Sequence, residues 1–147
     1  MDRVYRSLVV LFWIAVVIIY PMLISIYVTL PLFVGFVGLM LVIGIDEEKY
    51  LYITLSLIYM INLEINLSLP ILLLPISVFI FYVYIKDRLD FLKLCNVCIY
   101  ISTVILINLI YFFLLFIFDS ITGQSSVNYD SFLLFSVVYD IIAAVLI

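Results

Sequence analysis

Residues 7–45 read SLVVLFWIAVVIIYPMLISIYVTLPLFVGFVGLMLVIGI, a run without a single charge. A helix needs about 20 apolar residues to cross a bilayer. The run is too long for one crossing and long enough for two. Thr29-Leu30-Pro31 divides it, because a proline close to a helix start gives up an N–H that would have had no partner there. The sequence therefore predicts a hairpin of spans 6–28 and 31–46, closed by the charged stretch Asp46-Glu47-Glu48-Lys49.

The rest of the chain follows the same logic. Residues 50–85 are nearly apolar and divide at Asn66-Leu67-Ser68-Leu69-Pro70, giving spans 50–66 and 69–86. The segment KDRLDFLK at 86–93 separates these from an apolar run at 94–118. The polar stretch DSITGQSSVNYD at 119–130 precedes a final apolar run. Spans five and six are placed at 92–118 and 131–147. The predicted fold class is all-α, a polytopic transmembrane helical bundle of six spans forming one integral membrane domain over residues 1–147. Composition agrees: 69% of residues are apolar and the mean hydropathy is +1.48, against about 45–50% apolar in soluble domains. The two proline hairpins are similar in shape but share little sequence, so no internal repeat is expected. The N-terminal run leaves its apolar core at Pro21-Met22 with no small-x-small site, which reads as an uncleaved first span. Asp2 does not fit myristoylation, and no prenylation signature ends the chain.

Six alternating spans put Arg3, Arg6, Lys49, Lys86, Arg88 and Lys93, all the basic residues of the chain, on one face. The positive-inside rule makes that face cytoplasmic. Both termini are then expected inside, and loop 119–130 outside with Glu64, Asp119 and Asp130. Tyr50, Tyr52, Tyr82 and Tyr84 fall near the predicted interfaces, as an aromatic belt requires.

The chain has no histidine, which removes the commonest general base and metal ligand. It has no HExxH, GxSxG or Walker loop, and no basic stripe for nucleic acid. No enzymatic activity, cofactor, metal, nucleic-acid partner or small-molecule substrate is expected. Cys95 and Cys98, in CNVC, are placed on one helix face at the inner end of span five. They are expected to stay reduced there and to pack as small polarisable groups, because a metal would need two more soft ligands. Gly35 and Gly38 lie one turn apart in span two, where they let a neighbouring helix approach. Pro21 and Pro75, inside spans, are expected to bend their helices by freeing the carbonyls of Val17 and Ile71.

Two acids stand out. Asp140 sits in FLLFSVVYDIIAAVLI, about 14 Å into the last span at 1.5 Å per residue. An aspartate at that depth costs roughly 3 kcal/mol on insertion scales. No lysine or arginine lies deep in any span. Three arrangements accommodate the residue: protonation; hydrogen bonds from polar groups of span five such as Asn108, Ser102, Thr103 or Tyr100; or bonds to a partner protein. Glu64, in MINLEINLSLP near the outer end of span three, is expected to reach the external headgroups. Asn62 and Asn66 point to other faces. The candidate intramembrane polar contacts are Asp140, Tyr139, Asn108 and Glu64.

Three stretches carry a family resemblance: TLPLFVGFVGLMLVIG, a proline-led second span; NLEINLSLPILLLP, with Glu64 where the family has an acid; and VVYDIIAAVLI, with Tyr139-Asp140 in place of a polar pair in the last span. On these the chain resembles MreD, the small membrane protein of the bacterial rod-shape system. The resemblance implies a six-helix fold similar to the S-components of vitamin importers. It also implies a non-enzymatic scaffold of the cell-wall elongation complex in the inner membrane, with a single-span MreC-like partner and membrane lipid as its contacts. Alternative expectations are an S-component-like substrate-binding subunit, or an accessory subunit of a respiratory, secretion or flagellar complex.

Overall fold

The computed structural model describes residues 2–27, 29–92, 95–123 and 129–146. Among them are seven α-helices and no strand: α1 (Asp2–Ile26), α2 (Val34–Asp46), α3 (Tyr50–Asn66), α4 (Leu73–Tyr84), α5 (Lys86–Phe91), α6 (Asn96–Thr122) and α7 (Tyr129–Leu146). The described residues are all-α, the fold class expected from the sequence. By length and composition α1 and α6 can each cross a membrane, whereas α2, α4 and the apolar part of α7 are shorter. At 1.5 Å per residue, the 13 residues of α2 and the 12 of α4 reach only about 20 Å.

The shortening has a local cause. Pro31 and Pro70 do not open helices; each stands three residues ahead of one. The intervening residues Phe33 and Leu72 adopt the left-handed conformation, with φ 51° and 73°. That conformation costs a side-chain-bearing residue about 1 kcal/mol and stops the helix from starting earlier. Leu30-Pro31-Leu32-Phe33 and Leu69-Pro70-Ile71-Leu72 thus share a Leu-Pro pair and a left-handed residue directly before the helix. Pro75 consequently falls in the first turn of α4, where its missing N–H is harmless. It is not the mid-helix kink expected from the sequence. Pro21 does lie inside α1, and its side chain is buried.

α2 is the hub: it packs on α3, α4, α6 and α7. The close approach of α6 to α2 depends on glycine. A Cβ on Gly35 would overlap Asn108 and lie 2.9 Å from the Val104 carbonyl; one on Gly38 would lie 2.9 Å from Ile107 and 3.2 Å from Val78. Around this contact sits the core, with Met60, Leu63, Leu74, Phe81 and Ile107 fully buried. α1 is held differently. Among the described helices it packs on α3 alone, and its outer residues Leu8, Leu11 and Phe12 are exposed.

Other boundaries also shift from the sequence expectation. α6 continues to Thr122 and ends on Gly123, whose φ of 68° and N–H bond to the Asp119 carbonyl form a left-handed cap. Asp119 is therefore helical, and residues 124–128 of the expected outer loop lie outside the described residues, as does Lys93. The segment after Tyr84 turns into a separate short helix, α5. Where it begins, Lys86 pairs with Asp46 at the end of α2 and lies over the Tyr82 ring. Burial works against the Lys86 charge, but the hydrogen bond and negative charge of Asp46 outweigh it and hold the ammonium above its ordinary pKa.

Overpacking the glycine contact should be costly. Gly38→Val is expected to destabilise the fold by about 2 kcal/mol and lower the unfolding temperature in detergent by several degrees. Leu109→Ala, at an exposed site on α6, should leave it nearly unchanged.

Candidate functional site

Helix starts leave backbone N–H groups without partners. Neither Phe33 nor Leu72 caps its helix with its own side chain. Both starts are capped instead by acids. Asp140, fully buried on α7, accepts at Oδ2 from the Gly35 N–H at 2.9 Å. Glu64, fully buried on α3, accepts from the Leu72 N–H at 2.7 Å and the Leu74 N–H at 2.5 Å. Gly35 and Leu74 occupy the same position, second in their helices. An anion is favourable at this end of a helix because the N–H groups converge there and the helix dipole is positive.

Other side chains complete the first turn. The Leu32 N–H donates to Ser136 Oγ at 3.1 Å. The Tyr20 hydroxyl donates to the Pro31 carbonyl at 2.8 Å, and the Tyr59 hydroxyl to the Leu32 carbonyl at 2.9 Å. Asn108 Nδ2 donates to Asp140 Oδ2 at 3.0 Å and to the Val104 carbonyl at 3.0 Å. The α1–α2 connection is therefore bonded by side chains of α1, α3 and α7, with Asn108 of α6 orienting the acid. Asp140 Oδ1 has no hydrogen-bond partner among the described residues.

These positions sort the sequence expectations. Asp140 and Asn108 come together, one of the arrangements open to Asp140 from the sequence. Thr103 instead bonds the Ile99 carbonyl of its own helix. Glu64 does not reach external headgroups: it is wholly buried, because the α3–α4 turn folds back over it. Asn66 donates to Asn62 Oδ1 and Asn62 to the Ile18 carbonyl of α1, so these amides hold α1 on α3. Tyr139 is apart from the cluster, 44% exposed with its ring against Phe135. Gly35 joins the site through its N–H as well as its missing side chain. Gly38 lies one turn on in α2, in the packing contact alone. Ser136, Tyr20 and Tyr59 were not singled out from the sequence. Ser136 could have been, since it lies one helical turn before Asp140 on the same face.

Beside this cluster runs a groove of about 410 Å³ between α1, α2 and α3, bordered by Ala143 of α7. Trp13, Phe33, Phe36, Val37 and Leu55 give it an apolar lining. Tyr20 and Tyr59 reach its wall with their hydroxyls already bonded to the turn. No cluster of three metal-ligating side chains occurs among the described residues. Cys95 and Cys98 form a disulfide, which corrects the expectation of two free packing thiols: Cys95 is the N-cap of α6, so the pair opens the helix at an exposed site.

Compared with protein-family models, with curated proteins and with solved structures, the chain finds no match.

Replacing the acids should separate charge from hydrogen bonding. Asp140→Asn keeps one acceptor oxygen for Gly35 and should cost about 1 kcal/mol. Asp140→Leu leaves the Gly35 N–H unpaired and takes from the Asn108 amide one of its two acceptors, and should cost roughly 3 kcal/mol. Glu64→Gln and Glu64→Leu should follow the same order. Thermal unfolding of the four variants in one detergent checks this, and equal losses for Asn and Leu at position 140 would contradict the capping role.

Proposed function

We propose that this chain is a non-enzymatic, multi-pass scaffold of the bacterial inner membrane. It resembles MreD and binds an MreC-like single-span partner within the cell-wall elongation complex. All six apolar segments lie in the bilayer with both termini cytoplasmic, the short helices α2 and α4 crossing together with their proline turns. The segregation of basic residues supports this orientation.

The observation that carries the reading is the use of the two buried acids. In lipid no water can satisfy irregular backbone, so a turn at membrane depth is tolerated only when protein groups pair with it. Asp140 and Glu64 serve that need, with Ser136, Tyr20 and Tyr59 beside Asp140. Each of these side chains bonds a backbone group of a helix start or its turn, the arrangement of a framework and not of a reaction centre. The partner's helix is assigned to α1, the helix least enclosed by its neighbours, along the groove it borders. Asp140 then acts on assembly indirectly, by fixing α2 and α7.

A second reading, a substrate-binding subunit like the S-components, draws on the groove itself, whose volume lies in the range of small-molecule sites. Its lining would suit a largely apolar ligand.

A photo-crosslinker at Phe12, exposed on α1, should trap a single-span membrane protein in native membranes, whereas one at the buried Met60 should not. Mild-detergent purification followed by mass spectrometry should recover that protein with cell-wall synthesis enzymes. Recovery of an ATPase pair with a transmembrane coupling protein would replace the scaffold by the importer reading.

A further inference from the structure

Cys95 and Cys98 are bonded across the first turn of α6, and both residues are exposed. Cys95 is the N-cap, and its sulfur accepts the Cys98 N–H at 3.2 Å. α6 is 27 residues long and carries no acid in its first turn, so nothing there opposes the positive end of its dipole. A thiolate at this position is stabilised by the helix terminus and by a backbone donor already aimed at it. The bond is also a poor staple. It closes a loop between residues separated by 3, and short loops restrict the unfolded chain least. An exposed pair that contributes little to folding is of the labile kind, not the structural kind. The preceding segment holds Lys86, Arg88 and Lys93, and on the proposed orientation it faces the cytoplasm. There disulfides are normally transient and serve exchange or redox sensing.

We propose that Cys95–Cys98 is a reversible thiol–disulfide exchange centre on the basic face of the protein, with Cys95 as its more reactive thiol. The co-reactant is a cellular monothiol of the glutathione class. One thiolate of that class attacks a sulfur of the pair; the S–S bond breaks and the other cysteine leaves as thiolate. A second thiolate of that class then attacks the reductant sulfur of the mixed disulfide and expels the protein cysteine as thiolate. Two reductant thiols become one disulfide, and the pair gains two electrons, ending as a Cys95 thiolate and a protonated Cys98 with one proton released. The Cys95 thiolate keeps the Cys98 N–H bond, so α6 retains its cap in both redox states. Only the cytoplasmic placement rests on the scaffold's proposed orientation; the exchange chemistry does not.

The test uses the full chain purified in detergent at pH 7, equilibrated with mixtures of reduced and oxidised glutathione and quenched with acid. Free thiols are then counted by maleimide mass addition. The expected result is a reversible passage between zero and two free thiols as the mixture changes. A pair that stays bonded in excess reduced glutathione, or never forms in oxidised glutathione, overturns the proposal. Alkylation by iodoacetamide at pH 7 assigns the reactive thiol. Cys95 in Cys98→Ser should react about threefold faster than Cys98 in Cys95→Ser, because the helix terminus and the Cys98 N–H favour its thiolate. Equal or reversed rates overturn the assignment. Neither readout depends on a partner protein, so failure here is distinct from failure of the scaffold reading.

Discussion

Backbone N–H groups at a helix start, removed from water, must find acceptors, and the start of α2 shows how far this demand reaches. An unpaired buried donor costs about 1–3 kcal/mol, and a left-handed Phe33 adds its own strain. The connection from α1 to α2 exposes several such groups at once. The acceptors and donors that meet them come from helices far away in the sequence, Ser136 and Asp140 among them. Asp140 is in turn aligned by Asn108, and Asn108 stands where Gly35 leaves room for it. The arrangement of α2, α6 and α7 follows from this one set of bonds. The apolar contacts around it supply the bulk of the burial and little of the orientation.

The two proline turns make the same point by contrast. Each is Leu-Pro, one further residue, a left-handed residue, then a helix whose second N–H meets a carboxylate. In the second hairpin the acid is local: Glu64 lies in the last turn of α3 and reaches forward to Leu72 and Leu74. In the first hairpin the last turn of α1, Met22-Leu23-Ile24-Ser25-Ile26, holds no acid. The carboxylate arrives from α7 instead. The α3–α4 hairpin therefore satisfies its own turn, whereas the start of α2 is complete only when the last helix is in place. This difference explains why Asp140 stands in an otherwise apolar final segment.

α1 stands at the margin of this framework. Asn62 of α3 and the Tyr20 hydroxyl give it two polar attachments, but of the other described helices only α3 packs along it. The resulting groove is a consequence of how the interior is closed. α1 contributes Ile24 to the core but leaves Leu8, Leu11 and Phe12 exposed, so much of its apolar surface is uncovered.

Much of the architecture was legible in the residues. Apolar length and charged punctuation locate the helices, because a chain this apolar has few ways to satisfy its backbone. The importance of Asp140 was equally plain, since an isolated carboxylate in such a run demands a partner. What the sequence did not carry was the direction of the bonds. Whether Glu64 points outward or folds under its own turn depends on the left-handed residue at Leu72, which no propensity favours. Whether Pro75 kinks a helix or opens one depends on where that same turn ends. Ser136, Tyr20 and Tyr59 join Asp140 only because α2 starts between α1, α3 and α7. Local periodicity and hydropathy fix where helices form, since those are properties of neighbouring residues. The pairing of a donor at Gly35 with an acceptor at Asp140 is a property of packing, and only the tertiary structure decides it.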